Sequence, residues 1–392
     1  MATAKVEQFK ASRTDWKRYL WVLGLLIPAG PLLAGFRWAE HETTLLLWQG
    51  PILIFVLGAL FDFVVGEDRH NPRESEVPAL SEDPYYRWIL YAFVPLMFAS
   101  YFWGGWMIAT MDLSLMAMLG ISVSVGVACG IGINVAHELG HKNRFLERTL
   151  AKLTLSTMAY GHFIVEHNRG HHVRVATPED PASSRYGESF YRFWPRTVVG
   201  SFRSAWELER ERLQRAGRSV WHTDNVILQC LAMSVVLFAG MIAAFGPVVV
   251  PYLAIVAVVG FSLLEVVNYL EHYGLLRQKR ENGRYEPCRP EHSWNSNHLV
   301  SNVFLYNLQR HSDHHANPTR WYPALRHFDE APQLPSGYAG MVPLALIPPL
   351  WRKVMDPKVK AHYGGDLSRA NLDPRVREQV LAEQQENQHS AA

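Results

Sequence analysis

Cysteine is scarce in this 392-residue chain: Cys129, Cys230 and Cys288 stand apart, with no CxxC among them. Three scattered thiols, two of them inside apolar runs, exclude a zinc ribbon, an iron–sulfur cluster and a four-cysteine iron centre. An excess of one charge sign is also missing. Lys and Arg number 38 against 36 Asp and Glu, a net charge of +2, and no basic stripe marks a nucleic-acid surface. Nothing resembles a cleaved signal peptide, since the first apolar run follows an 18-residue polar segment and precedes no small-residue cleavage pattern. No repeat of 20 to 50 residues is visible.

Apolar sequence, in contrast, is abundant. Hydrophobic residues make up 48% of the chain, and a mean hydropathy of −0.06 would suit a large soluble protein. That average is misleading, because polar ends and a polar middle dilute long apolar runs. Six runs are long enough to be read against the roughly 20 residues that cross a bilayer as a helix: 19–36, 44–65, 88–108, 113–136, 226–245 and 249–270. Runs this long with so little charge rarely serve as core helices of a soluble protein. Their orientation follows from the basic residues. Segments 1–18, 66–87 and 137–223 hold five, three and fourteen Lys or Arg, whereas 37–43, 109–112 and 246–248 hold only Arg37 between them. The expected fold is all-α, a polytopic membrane protein with six transmembrane helices, both termini cytoplasmic and the large polar regions on the cytoplasmic side.

Between the spans, "RTVVGSFRSAWELERERLQR" at 196–215 has the pattern of a helix lying in the membrane interface or packed at a surface. "MVPLALIPPLW" at 341–351 is too short to span. Gly126 and Gly130 form a GxxxG in the fourth run, which suits close helix packing or a narrow apolar channel beside the helix. The chain divides into a cytoplasmic segment 1–18, one membrane unit 19–375 and a polar tail 376–392, low in aromatics and expected to be disordered or a linker.

The 18 histidines are unevenly spread. "HELGH" gives His137 and His141, "EHNRGHH" gives His167, His171 and His172, and "QRHSDHH" gives His311, His314 and His315. His272 sits where the sixth run ends, as His137 does at the end of the fourth. All nine can therefore gather under one membrane face. Separations of three or four residues let one helix face deliver two imidazoles, with the adjacent His reaching sideways. Packing so many imidazoles without metal would leave polar groups unsatisfied or charged beside a low-dielectric boundary.

"HELGH" by itself fits the HExxH of zinc proteases, with Glu138 as base. A catalytic zinc needs only about three protein ligands, so nine histidines are too many for one. Two ions with four or five imidazoles each fit the count, and such sites suit iron, copper, zinc or nickel. An O2-binding iron pair is the best chemical reading. His162, His292, His298 and His327 fall outside the spacings and are treated as structural or supporting.

Metal-bound imidazoles need partners for their outer N–H. Glu138, Glu166, Asp313 and Glu271 stand beside the boxes and are candidates. Glu265, Asn268 and His272, spaced three and four apart, would line a chamber with Asp62, since ionisable groups at such depth usually face a polar site. Ile54 and Phe55, outward from Asp62, would form its far wall.

With "HELGHK", "EHNRGHH" and "LQRHSDHHA", together with "NYLEHYGLLRQK", "GEDRHNP", "DPASSRYGES" and "HSWNSNH", the sequence resembles the membrane-bound alkane 1-monooxygenases over roughly residues 15–375. The resemblance implies non-haem diiron omega-hydroxylation of medium- to long-chain n-alkanes to 1-alkanols in a bacterial inner membrane. It implies two iron ions held by the nine histidines as a cytoplasmic diiron cap, O2 as co-substrate, and neither haem nor flavin. It also implies two electrons from a rubredoxin, separate or fused, reduced by an NADH-dependent reductase. Arg192, Arg196 and Arg203 are candidate contacts for an acidic donor of this kind. Similar boxes occur in membrane fatty-acyl desaturases and in hydroxylases of other apolar substrates, which stay open as alternatives.

Overall fold

A computed structural model describes residues 16–391, and those residues are helical apart from loops and four isolated β-bridges. Most of the expected segment 1–18 lies outside the described residues. Five helices are long and apolar enough to cross a membrane: α1 (Lys17–His41), α3 (Pro84–Thr110), α4 (Leu115–Gly140), α7 (Val226–Phe245) and α8 (Pro247–His272). The second expected span is the shorter α2 (Gln49–Val65), which widens into a π-helical turn at Ile52–Leu57 just after Pro51. Shorter helices follow between and after the spans: α5 (Phe145–Ser156), α6 (Phe190–Arg215), α9 (Leu299–Phe304), α10 (His311–Ala316), α11 (Tyr338–Ala345), α12 (Pro348–His362) and α13 (Arg377–Ala391).

Local chemistry sets the ends of the spans. Asp83 caps α3 by accepting from the Tyr85 N–H, Ser114 caps α4 by accepting from Ala117, and Asn225 caps α7 by accepting from Ile227 and Leu228. Between α7 and α8 the chain reverses at Gly246, whose φ of 79° suits glycine.

α4 is the central helix. Within its most apolar window 78% is buried inside the protein, against 28% for α7, so α4 is ringed by helices while α7 turns its side chains outward to lipid. Exposed Val235 and Val236 on α7, and Phe61, Phe63 and Val64 on α2, belong to that apolar belt. The most extensive helix–helix contact joins α4 to α8. A Cβ on Gly126 would lie 2.8 Å from Val259 Cβ, and one on Gly130 would lie 2.9 Å from the Gly260 carbonyl. Glycine at these positions lets the two backbones approach.

One face of the bundle collects the polar regions. The start of α1 is tied to the start of α3 by Arg18 and Asp83 at 2.6 Å. Trp21 packs edge-on to Tyr322, and the Tyr322 N–H reaches Glu138 at the end of α4. The ends of α4 and α8 and the starts of α1 and α3 therefore share a side, as the basic residues imply. The tail departs from expectation. Residues 377–391 are helical, as their Glu, Gln, Ala and Leu content favours, and Val380 and Leu381 pack on the core of α8, α11 and α12 while Gln384 accepts from the Leu367 N–H.

The α4–α8 contact gives a direct test. Gly130→Leu should lower the melting temperature in detergent, at a cost of about 1–3 kcal/mol for overpacking, whereas Gly240→Leu, where a Cβ meets no neighbour, should not.

Candidate metal centre

Nine imidazoles converge at the polar face in two groups, each with ring nitrogens within 4.8 Å of one another. His137, His141, His167, His172 and His314 form one; His171, His272, His311 and His315 form the other. Helix geometry explains most of the division. His137 with His141, and His311 with His315, are four apart on α-helical backbone and fall in the same group. The second box behaves differently. Glu166–His171 is a π-helical turn, so the wider winding pairs His167 with His172 and sends His171 to the other group, where an α-helix would have paired His167 with His171.

The ring nitrogens fit a metal better than they fit each other. Nε2 contacts of 2.8 Å (His137–His314), 3.1 Å (His141–His167), 2.9 Å (His167–His172), 3.1 Å (His172–His314) and 2.8 Å (His311–His315) press lone pairs and N–H groups together. Two imidazoles at right angles around an ion with bonds of ~2.1 Å would have nitrogens ~3 Å apart. Orphaned atoms agree, since His171 Nε2 and both nitrogens of His272 have no hydrogen-bond partner among the described residues. For six of the rings burial also favours the neutral form, the one that binds metal. It pushes His141 and His172 down to about 2 and holds His167, His311, His314 and His315 well below the usual imidazole value, with neighbouring histidines adding to the effect.

Two carboxylates reach the rings from behind. Asp180 Oδ2 lies 2.9 Å from His171 Nδ1 and also accepts from Ser183. The sequence reading passed over Asp180, although it lies in the quoted "DPASSRYGES". Glu271 Oε1 accepts from the Tyr338 hydroxyl at 2.8 Å and lies 3.3 Å from His311 Nδ1, too poorly aligned to count as a hydrogen bond.

The other expected supports do other work. Asp313 points away from the rings to Arg320, Asn317 and the Arg326 N–H. Glu166 pairs with Arg174 at 2.8 Å. Glu138 pairs with Lys142 at 3.0 Å, so the HExxH carboxylate is engaged on the flank of the site and does not stand as a free base. Glu265 and Asn268 bond each other within the membrane layer, away from the rings. His292, His298 and His327 bond to Arg289 N–H, Ser296 and Asn297, and His162 packs edge-on against Tyr160. None of these four belongs to either group.

Below the imidazoles lies a narrow cavity with an almost wholly apolar lining. His137, His167 and His311 close its polar end, while Ile54 and Phe55, from the π turn of α2, line it from another side. Asn268 and Glu271 also line it. Asp62 does not. Its carboxylate is buried and accepts from the Ser301 N–H at 2.9 Å and the Ser301 hydroxyl at 2.5 Å, tying α2 to α9.

Of the candidate docking arginines, Arg196 is held by both oxygens of Glu188 and by the Pro181 and Ser183 carbonyls. Arg192 faces Asp373 at 3.7 Å. Arg203 is exposed and makes no ion pair among the described residues.

Comparison with known proteins gives the same picture. The family model described as fatty acid desaturase matches residues 113–345. An alkane 1-monooxygenase of Acinetobacter baylyi is 47% identical over 94% of this chain and 91% of its own length. A second, of Ectopseudomonas oleovorans, is 47% identical over 94% of this chain and 92% of its own. The chain belongs to the alkane 1-monooxygenase family. A xylene/toluene monooxygenase hydroxylase component of Pseudomonas putida is 33% identical over 55% of the chain. This is therefore a membrane oxidoreductase, with histidine groups placed to hold metal and a redox partner implied.

Two outcomes test the site. Asp180→Ala should weaken metal affinity about 10–100-fold, as loss of an imidazole's orienting partner typically does, measured by chelator competition on the purified protein. The metal-free protein should also lose stability as pH falls below about 6.5, because histidines take up protons once unfolded while the folded site resists them. A melting temperature that stays constant from pH 7.5 to 5.5 would contradict this.

Proposed function

We propose that the protein converts medium- to long-chain n-alkanes to 1-alkanols, using O2 and two electrons from a rubredoxin that an NADH-dependent reductase reduces. The observation that carries this reading is an apolar cavity ending on imidazoles of both histidine groups. An alkane has no polar handle, so it can be held only by burial and placed only by shape, and the cavity offers both.

The nine histidines are read as the ligands of two irons, five imidazoles on one and four on the other. When bound, the irons would supply O2 activation and removal of a hydrogen from an unactivated methyl group. The chain's own residues do the rest. Asp180 holds His171 in the orientation that points its remaining nitrogen inward, while Glu271 lies behind His311 without bonding it. The apolar lining excludes water and binds the alkane at about 0.8 kcal/mol per CH2. Ile54 and Phe55 limit how far the chain extends, so only its terminal carbon reaches the histidine end.

The polar face is assigned to the cytoplasm of a bacterial inner membrane, on the distribution of Lys and Arg. Residues 19–375 form the hydroxylase unit, and Arg203 stays a contact for an acidic donor. The desaturase family match keeps acyl desaturation as the second reading.

Purified protein supplied with n-octane, rubredoxin, its reductase and NADH should yield 1-octanol, with two irons per chain. A double bond in an acyl lipid and no 1-octanol would favour the second reading, and one zinc without iron would end both. His311→Ala should abolish turnover and reduce iron content, whereas His292→Ala should do less harm. Phe55→Ser and Ile54→Ser should shift preference to longer alkanes, with kcat/KM rising about fourfold for each methylene that finds room. An unchanged chain-length profile in both would remove them as the wall.

A further inference from the structure

Two amides interrupt the apolar lining of the cavity: Asn134 on α4 and Asn268 on α8. Asn134 precedes His137 by three residues and Asn268 precedes His272 by four, so each lies about one helical turn below its histidine, on the same side of its helix. Their orientation is set by what their NH2 groups meet. Asn268 Nδ2 donates to Glu265 Oε2 at 3.2 Å, and Asn134 Nδ2 donates to the Leu305 carbonyl at 2.6 Å. A carbonyl only accepts, and Glu265 already accepts from the Tyr160 hydroxyl at 2.6 Å and the Thr197 hydroxyl at 2.8 Å. Each Asn must therefore turn its NH2 to that partner, which leaves Oδ1 over. Among the described residues the contacts of these two side chains are the Nδ2 donations, with no donor to either Oδ1, and both residues line the cavity. The nearby Tyr338 hydroxyl is no donor to them, because it is committed to Glu271.

We propose that Asn134 Oδ1 and Asn268 Oδ1 form a hydroxyl-binding rung that takes a long-chain primary alcohol through its O–H. The proposal rests on the reading above, in which that alcohol is the product. An alkane in the cavity offers these oxygens no donor and leaves them unpaired in an apolar surround, a cost that an alcohol removes. The new hydroxyl forms at the histidine end, and a shift of about one turn along the cavity brings it level with the two amides. The rung thus separates product from substrate by one O–H group. Glu265, with Tyr160 and Thr197, serves to fix the Asn268 amide in the accepting orientation. This gives a carboxylate buried within the membrane layer a role that metal support did not provide.

The test compares 1-octanol with 1-methoxyoctane, which keeps the oxygen and the chain but lacks the donor. As inhibitors of n-octane turnover by the iron-loaded protein, the alcohol should bind roughly tenfold more tightly than the ether, the value of about one buried hydrogen bond. N268L and N134L should each shrink that ratio. The melting temperature of the loaded protein should rise more with the alcohol than with the ether, a readout that needs no turnover. Equal inhibition by both compounds in the unaltered protein would overturn the proposal and point to water as the occupant of the two oxygens. So would a ratio that persists in both variants. Should either variant fail to fold, the comparison in the unaltered protein still decides. If alkane oxidation itself is wrong, no 1-octanol forms from n-octane while the difference in melting temperature remains, so the two failures are distinguishable.

Discussion

Nine imidazoles can share one layer at a membrane border only if they stay neutral and their inward nitrogens have something to bind. Each histidine protonated there would add a charge beside others of the same sign in a medium that screens poorly. Burial favours the neutral state at His167, His314 and His315, and metal held by the inward nitrogens would turn converging lone pairs from a liability into bonds. Much of the remaining architecture serves this layer. α4 and α8 approach through Gly126, Gly130 and Gly260, which brings His137 and His272 to one level at their ends. The polar loops fold back over them with His167, His171 and His172 from one side and α10 from the other.

Much of this was legible in the sequence, because its signals are those of periodicity and count. Long uncharged runs give spans, basic residues give sidedness, and three spaced boxes with one histidine beside them give a metal layer. What was not legible depends on direction. Spacing four apart paired His137 with His141 correctly, but the same spacing failed at His167 and His171, because a π turn winds more widely than an α-helix and nothing in "EHNRGHH" announces it. Adjacency misled in a similar way. Asp313 neighbours His314 in the chain yet points to Arg320, while Asp180, nine residues from His171, comes back across a turn to meet it. The tail shows that composition can misjudge as well, since a polar segment low in aromatics still gained a helix from the packing of Val380 and Leu381.

The second π turn, Ile52–Leu57 in α2, bears on the cavity. The consecutive residues Ile54 and Phe55 of this turn both line the cavity wall. Asp62, two turns further along, was expected on that wall as well. It is instead the pin that holds α2 to α9 through Ser301, which fixes the height of the π turn relative to the histidines. A buried carboxylate can thus shape an apolar cavity without lining it.

The two histidine groups are not equivalent, and the asymmetry bears on how a hydrocarbon end could be addressed. The group of five sends His137 and His167 to the cavity, whereas the group of four sends only His311, backed by Glu271 and Tyr338. A chain lying in the cavity therefore ends between unlike neighbours. On one side stand two rings without a carboxylate at their backs among the described contacts; on the other stands one ring with a carboxylate 3.3 Å behind it. In the same group of four Asp180 bonds His171 at 2.9 Å, and because carboxylate support raises an imidazole's basicity as a ligand, ions held at the two positions would differ in electron density even with the same element in both. If a hydrocarbon occupies the cavity as proposed, the narrow apolar lining would fix where its end lies and present that difference to one carbon. Selectivity for a terminal position then needs no recognition of the methyl group itself, only a cavity whose single polar end is the place where the chain stops.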